Sequence, residues 1–332
     1  MKTRTMGLVA VLILFCGLSF SLAGEVAYPT RPVEITTSAS PGGGTDVGAR
    51  AIAEKAREYL GQEFIVINKS GGGHRTTMVF ISKAKPDGYS LGSVSDDAMV
   101  FMPFTERIHY KPLEYTFLCN FGKLDIGIYV LPDSPFKTVK DMIEFAKANP
   151  GKLSIGIAEV HSMVHIGLMT LCQMEKVTVN FIPFFGASPT MMAVLGGHVM
   201  VGGSGASGFA RQVRAKQVRL LGLFSGERLE EYPGVPTFKE LGYPGLVLGG
   251  GYVILGHKDL DKSISAKLQG AFKKAMETPG FIKIATEAGI YDKKILVGDE
   301  LKAVLTEKYN RNEKLVKGLG IKPKESEEKE KK

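Results

Sequence analysis

Residues 33–38 (VEITTS) set β-branched side chains along a period of two, the pattern of a strand. From Val47 the period changes. Ala49, Ile52, Ala53, Ala56 and Leu60 fall on one face of a 3.6-residue repeat, which predicts a helix over 47–60 with Thr45 or Asp46 as its cap and Gly61 as its stop. The run EFIVIN (63–68) predicts the next strand, residues 76–85 a second helix, and KPDGYSLGSVS a turn and a third strand. Strand–helix–strand–helix–strand implies an α/β fold opening on a parallel sheet with right-handed crossovers. Further strands are expected over 117–121, 126–131, 153–157, 177–182, 199–202 and 246–255. Helices are expected over 138–148, 162–174, 188–195, 208–214, 263–277, 279–288 and 299–319. Residues 322–332 (KPKESEEKEKK) carry charge without a core residue and predict a solvated, disordered end.

The first 23 residues belong to a different pattern. Lys2 and Arg4 precede an apolar run over 6–22, and Ser21-Leu22-Ala23 offers small residues before Gly24, the order of a cleaved secretory signal peptide. An uncleaved anchor is the alternative, but the run is at the short limit for spanning and no strong polar flank follows. Phe15 before Cys16 argues against a lipoprotein signal, which needs a small residue there. Cleavage after residue 23 leaves 309 of 332 residues, enough for two domains, and lowers the formal charge from +8 to +6 as Lys2 and Arg4 leave. No later segment is long and apolar enough to cross a membrane. The charges are interspersed, with no basic stripe carrying interleaved aromatics, so a nucleic-acid partner is not expected. A mildly basic balance suits an anionic ligand. Cys119 and Cys172 each lie in an apolar segment and are expected to stay thiols rather than pair.

Candidate chemistry concentrates in glycine turns. Between the first strand and its helix stands Ala39-Ser40-Pro41-Gly42-Gly43-Gly44-Thr45-Asp46. Glycines let backbone amides approach a ligand, and a helix start adds unpaired N–H groups and a partial positive charge. A nucleotide P-loop needs Gly-Lys-Ser/Thr at this turn, and a dinucleotide fingerprint needs a glycine where Val47 stands, so a polyphosphate is not the expected ligand. Asp46 is expected to cap the helix, since it would repel an anion. The run Gly71-Gly72-Gly73-His74-Arg75 repeats the logic, with Arg75 either facing an anion or lying on the surface. His161 and His165 stand four apart, a spacing that can clip a metal on a helix. The H-E-x-x-H order is absent and a strand-to-helix turn falls at His161. Ser162 as helix cap and ligand donor is favoured, and no metal or cofactor is expected. Gly202-Gly203-Ser204-Gly205-Ala206 is close to a nucleophile elbow but lacks the closing glycine. The rival reading is a secreted α/β hydrolase using Ser162 or Ser204 with His161 or His165.

Taken in order, these segments resemble one family: the extracytoplasmic substrate-binding proteins of tripartite tricarboxylate transporters, also called Bug receptors. The resemblance runs from about Tyr28 to Ile321. It rests on YPTRPVEI leading into PGGGTD, then LGQEFIVINKSGGG, KPDGYSL, FAKANPGKLSIG, LGGHV and GVPTFKELGYPG. It implies a two-lobed, type II-like periplasmic binding protein with a hinged cleft, each lobe a sheet flanked by helices. The first lobe would combine residues 24–125 and 246–321, and the second 126–245. A monomer without enzymatic activity is implied, delivering a small carboxylate to two membrane components. Carried over by position, the ligand-contacting residues are Gly43, Gly44, Thr45 and Asp46, then Gly71 and Gly73, then Ser162, and finally Gly186 and Ala187. His165 matches a histidine frequent in the family. His74, Arg75, His161 and Phe185 join the candidates by adjacency. Departures fall on the second lobe and near the hinge. Phe184-Phe185-Gly186 replaces a Tyr-Lys-Gly type sequence, Glu159 and His161 replace glycines, Met200 replaces an aspartate, and Gly251 stands where tryptophan is common. Either the pocket is roomier and more apolar on that side, or these positions lie off the ligand.

Overall fold

A computed structural model describes residues 27–69, 74–158, 160, 162–184, 186–318 and 323. The signal-like segment 1–23 and, Pro323 apart, the charged tail 322–332 lie outside the described residues.

The chain opens β1 (Val33–Thr37), α1 (Gly44–Leu60), β2 (Phe64–Asn68), α2 (His74–Ser82) and β3 (Ser90–Ser95). Two single turns follow, α3 (Asp97–Val100) and α4 (Met102–Thr105), before β4 (Thr116–Leu124). The middle of the chain is β5 (Ile126–Val130), α5 (Val139–Ala148), β6 (Ser154–Ile157), α6 (Met163–Glu175) and β7 (Asn180–Pro183). It continues through α7 (Ala187–Leu195), β8 (Val201–Gly205), α8 (Ala206–Arg214) and β9 (Arg219–Leu223). The last part returns with β10 (Gly250–Gly256), α9 (Lys262–Met276), α10 (Pro279–Glu287), β11 (Leu296–Val297) and α11 (Gly298–Gly318).

Two sheets result. The first is six-stranded, in the order β11-β4-β10-β3-β1-β2, and the second five-stranded, in the order β7-β6-β8-β5-β9. β1 runs parallel to β2 and β3, as the opening pattern predicts. β10 then inserts antiparallel between β3 and β4, so the sheet is mixed. In the second sheet β6 is parallel to β7 and β8, while β5 is antiparallel to β8 and β9. The chain crosses between lobes at Asp125, between β4 and β5, and returns just before Gly250, which pairs with Leu124. Both crossings therefore lie side by side, the geometry of a hinge.

Pleating distributes the cores. On β10, Ile254 packs with Ile35, Ile52, Phe121 and Phe272 on one face, and Val253 and Leu255 with Met78, Val94 and Leu305 on the other. On β5, Ile128 joins Leu168, Phe224 and Phe238, and Tyr129 joins Val194, Phe209 and Leu223. α11 spans both lobes: Leu301 and Leu305 pack on the first, and Val316 on the core of the second.

Helix ends follow local chemistry. Gly61 takes φ +67° and donates to the Arg57 carbonyl, ending α1 where predicted. Thr138 and Asp141 cap each other's N–H groups at the start of α5. Three expectations shift. α1 begins at Gly44 rather than Val47, with Gly43 as its N-cap in place of Thr45 or Asp46. β7 begins at Asn180 because the Val177 N–H is spent on the Cys172 carbonyl at the end of α6. Residues 246–249 stay irregular, because the Leu246 and Leu248 amides bond to Tyr243 and Phe224 instead of a strand neighbour. The short elements α3, α4 and β11 have too few residues for a period to show.

Cys119 lies buried in β4 and Cys172 on α6, in different lobes, and both are free thiols. Burial pushes the Cys172 thiol up to about 11 and the Cys119 thiol higher still. Peptide mapping under non-reducing conditions is expected to find both as thiols. Iodoacetamide at pH 8 should alkylate Cys172 more than about a hundredfold more slowly than an unperturbed cysteine. A disulfide joining the two would contradict the separation of the lobes.

Candidate functional site

The turn after β1 meets the amides of Gly42 and Gly43 but leaves those of the first helical turn open. Gly42 takes φ +81°, and the Gly43 N–H closes a tight turn onto the Ser40 carbonyl at 3.0 Å. Gly43 then caps α1 with no side chain to offer. The N–H groups of Gly44 and Thr45 in the first helical turn have no acceptor among the described residues. Asp46 makes the early helix start possible. One carboxylate oxygen accepts from the Gly42 N–H at 2.9 Å, the other from Arg50 Nε and Asn68 Nδ2, each at 2.9 Å. It thus holds the loop from inside the helix, with its charge compensated by Arg50. Thr45 turns inward: its hydroxyl accepts from Thr37, and its carbonyl accepts from Ser93.

Gly44 is glycine for packing as well as for exposure of its amide. A Cβ there would overlap the ring of Tyr252 on β10, which also lies under the start of α8 with its hydroxyl near Ser207 and Gly205. Burial pushes the Tyr252 hydroxyl far above its usual range, so it stays protonated. One aromatic ring therefore touches the first turn of α1 in one lobe and of α8 in the other.

The second lobe presents a matching end. Gly186 takes φ +121° and caps α7 without a side chain, leaving the Ala187 and Ser188 amides unbonded among the described residues. This end meets the first loop directly. A Cβ on Gly186 would collide with the Ser40 side chain, and one on Gly42 would stand 3.8 Å from Ser188 Oγ. The N-termini of α1 and α7 thus face one another across the interlobe cleft, and their dipoles add there. α6 is capped by Ser162, whose hydroxyl accepts the His165 N–H at 3.4 Å.

The remaining candidates divide. Gly71, Gly73, Glu159, His161 and Phe185 lie outside the described residues. Arg75 forms a 2.6 Å ion pair with buried Glu106, so part of its charge is met within the protein. His165 is buried edge-on against Phe181 at 4.8 Å, and no metal-holding cluster occurs among the described residues. The Ser204 hydroxyl is fully buried and donates to the Gly205 carbonyl. Three of the departures take defined places in the fold. Asn120 fills the space beside Gly251, Met200 stands at the end of β8 opposite Gly205, and Phe184 packs inside the second lobe near Gly156. An apolar groove of about 630 Å³ along α7, lined by Phe184, Met192 and Leu195 among others, belongs wholly to that lobe and is separate from the cleft.

A polar group on the first-lobe side went unread. Asp96 and Asp97 follow β3 at the carboxyl edge of the sheet, where open α/β folds place ligands. Burial pushes the Asp97 carboxyl up, offset by His74 and the Ser95 hydroxyl; burial pushes the His74 imidazole down, offset by Asp97 and Asp96. The dipeptide Asp-Asp at the end of a predicted strand was the available signal.

The model of the tripartite tricarboxylate transporter family receptor matches residues 48–321. The chain belongs to that family. A Cupriavidus necator relative, the UPF0065 protein in the gbd 5′ region, is 35% identical over 76% of this chain and 77% of its own. BugT of Bordetella pertussis is 27% identical over 86% of this chain and 89% of its own. Among solved structures, the periplasmic binding protein BugD superposes with a TM-score of 0.82 at 25% identity, covering 90% of this chain and all of BugD. The two-sheet architecture is therefore that of a two-lobed periplasmic binding protein. A Rhodopseudomonas palustris protein solved with adipate, 22% identical at TM-score 0.82 over 90% of this chain and all of its own, shares the fold.

The Gly44–Tyr252 contact gives a direct check. Gly44→Ala should lower the melting temperature, and adding Tyr252→Ala should cost less than the sum of the two single losses, with a coupling of about 0.5–3 kcal/mol by double-mutant cycle. Simple additivity would mean that the glycine is not held by the ring.

Proposed function

We propose that this protein is a periplasmic solute receptor, released by cleavage after residue 23. It holds a small carboxylate in the interlobe cleft and delivers it to two membrane components of a tripartite transporter. The observation that carries the reading is the approach of two side-chain-free helix N-termini, those of α1 and α7, from opposite lobes at Ser40 and Gly186. A carboxylate placed between them would receive N–H donors from both sides. Gly44, Thr45, Ala187 and Ser188 would supply backbone donors, left open by the Gly43 and Gly186 caps, with the Ser162 hydroxyl as a further donor. Thr45 and Asp46 would position the loop from beneath.

Each charge-assisted hydrogen bond contributes on the order of 1.5–3 kcal/mol where it is made. Donors from the second lobe reach the ligand only when the cleft is closed, so binding favours the closed state by that difference. The membrane partners would read this closed form. Relatives of the same fold were solved with adipate and with malate, which supports a small organic acid as the ligand class. Membership of a receptor family supports binding without chemical conversion.

A panel of mono-, di- and tricarboxylates, aliphatic and aromatic, tests this by thermal shift and calorimetry. At a concentration a hundredfold above its dissociation constant, a cognate acid adds about 2.7 kcal/mol of stability. At least one member is expected to raise the melting temperature by several degrees with a micromolar dissociation constant. A flat response across the whole panel would contradict the proposal.

A further inference from the structure

Away from the glycine turns the two lobes touch again, along helix α8. The helix starts at the first crossing, where the Ala206 N–H donates to the Asp125 carbonyl at 2.8 Å. Ala206, Ala210 and Arg214 follow one another at four-residue spacing and so share a face. That face lies on the first lobe, at the turn that ends α10. A Cβ on Gly289 would stand 2.7 Å from the Ala210 Cβ and 3.3 Å from that of Ala206. Gly289 takes φ +68° there, and the lack of a side chain lets α8 settle this close.

At the far end of the face, Arg214 reaches across the seam. Its Nη1 donates to the Thr286 carbonyl at 3.1 Å and its Nη2 to the Glu287 carbonyl. Thr286 and Glu287 form the end of α10, where carbonyls have no partner further along the helix. A guanidinium fork matches two such oxygens, and its positive charge suits the negative end of the helix dipole. Two ion pairs, Lys293 with Glu230 at 3.6 Å and Lys123 with Glu231 at 3.7 Å, cross the same seam. Both are long and reach solvent, so they add little.

These contacts coexist with the meeting of Ser40 and Gly186, so they belong to the closed arrangement of the lobes. Arg214 lies eight residues beyond Ala206, about 12 Å further from the crossing. A lobe rotation of about 15° would carry it roughly 3 Å. That breaks both hydrogen bonds and leaves the hinge end of α8 in place.

We propose that Arg214 is an interlobe latch: docked on the end of α10, it holds the lobes closed before any ligand arrives. The closed fraction then sets the apparent affinity of the cleft from a distance, since affinity falls in proportion to that fraction. The effect on affinity rests on the receptor reading above; the latch itself does not.

Small-angle scattering of the mature protein, unfolded and refolded to strip any retained acid, tests the latch. Wild type should show the radius of gyration of a compact chain of its length, about 19 Å, and Arg214→Ala a value about 1 Å larger. Arg211→Ala is the control, since it removes the same charge from the same turn of α8. Arg211 makes no hydrogen bond to the first lobe among the described residues, so its variant should match wild type. With the tightest-binding acid of the panel above, Arg214→Ala should weaken binding by about three- to tenfold, and Arg211→Ala should leave it within about twofold. An unchanged radius for Arg214→Ala overturns the latch, as does an equal rise in both variants. Should Arg214→Ala fail to fold, Arg214→Lys takes its place: it keeps the charge, loses the fork, and should show a smaller rise. Should no acid bind, the receptor reading falls, and the scattering still decides the latch.

Discussion

A helix that begins in glycines leaves backbone N–H groups with no internal acceptor, and here two such ends are aimed at each other from separate lobes. That constraint organises much of the molecule. Each end needs a turn that only glycine adopts without strain, at Gly42 and Gly186, and each needs the other close by. The donors are fixed before any ligand arrives, because Asp46 ties the first loop to α1 and to Asn68. Little ordering cost would remain at the moment of binding.

The hinge is matched to this arrangement. The two crossings between lobes lie next to each other at Asp125 and Gly250, and Tyr252 packs under helix starts belonging to both. α11 runs alongside, with Leu305 in one core and Val316 in the other, so lobe movement must be accommodated along one helix. Lys123 keeps the crossing itself balanced through its 2.9 Å contact with Asp125.

Local sequence carried much of this. The alternation at 33–37, the stripe Ala49-Ile52-Ala53-Ala56 and the stop at Gly61 are short-range signals, and they produced β1, α1 and its end. The glycine turns were legible because few other roles call for three glycines before a helix. The reason for Gly44 in particular was only half legible, since its packing partner Tyr252 lies 208 positions away. A separation of 212 positions likewise hid the link between Asp96 and Lys308. Arg75 was left open between ligand and surface, and its pairing with buried Glu106 adds a contact that the sequence did not show. Family departures at Met200 and Gly251 left open added space or positions off the ligand; Asn120 fills the space beside Gly251, and Met200 stands at the far end of β8 from Gly205.

Hydrogen exchange of the backbone amides, with and without the tightest-binding carboxylate, tests the central claim most directly, because it reads the donors themselves. The account predicts that protection on binding concentrates at residues 42–46 and 186–190, on both lobes at once. Protection confined to one lobe, or centred on the groove beside Met192 and Leu195, would contradict it.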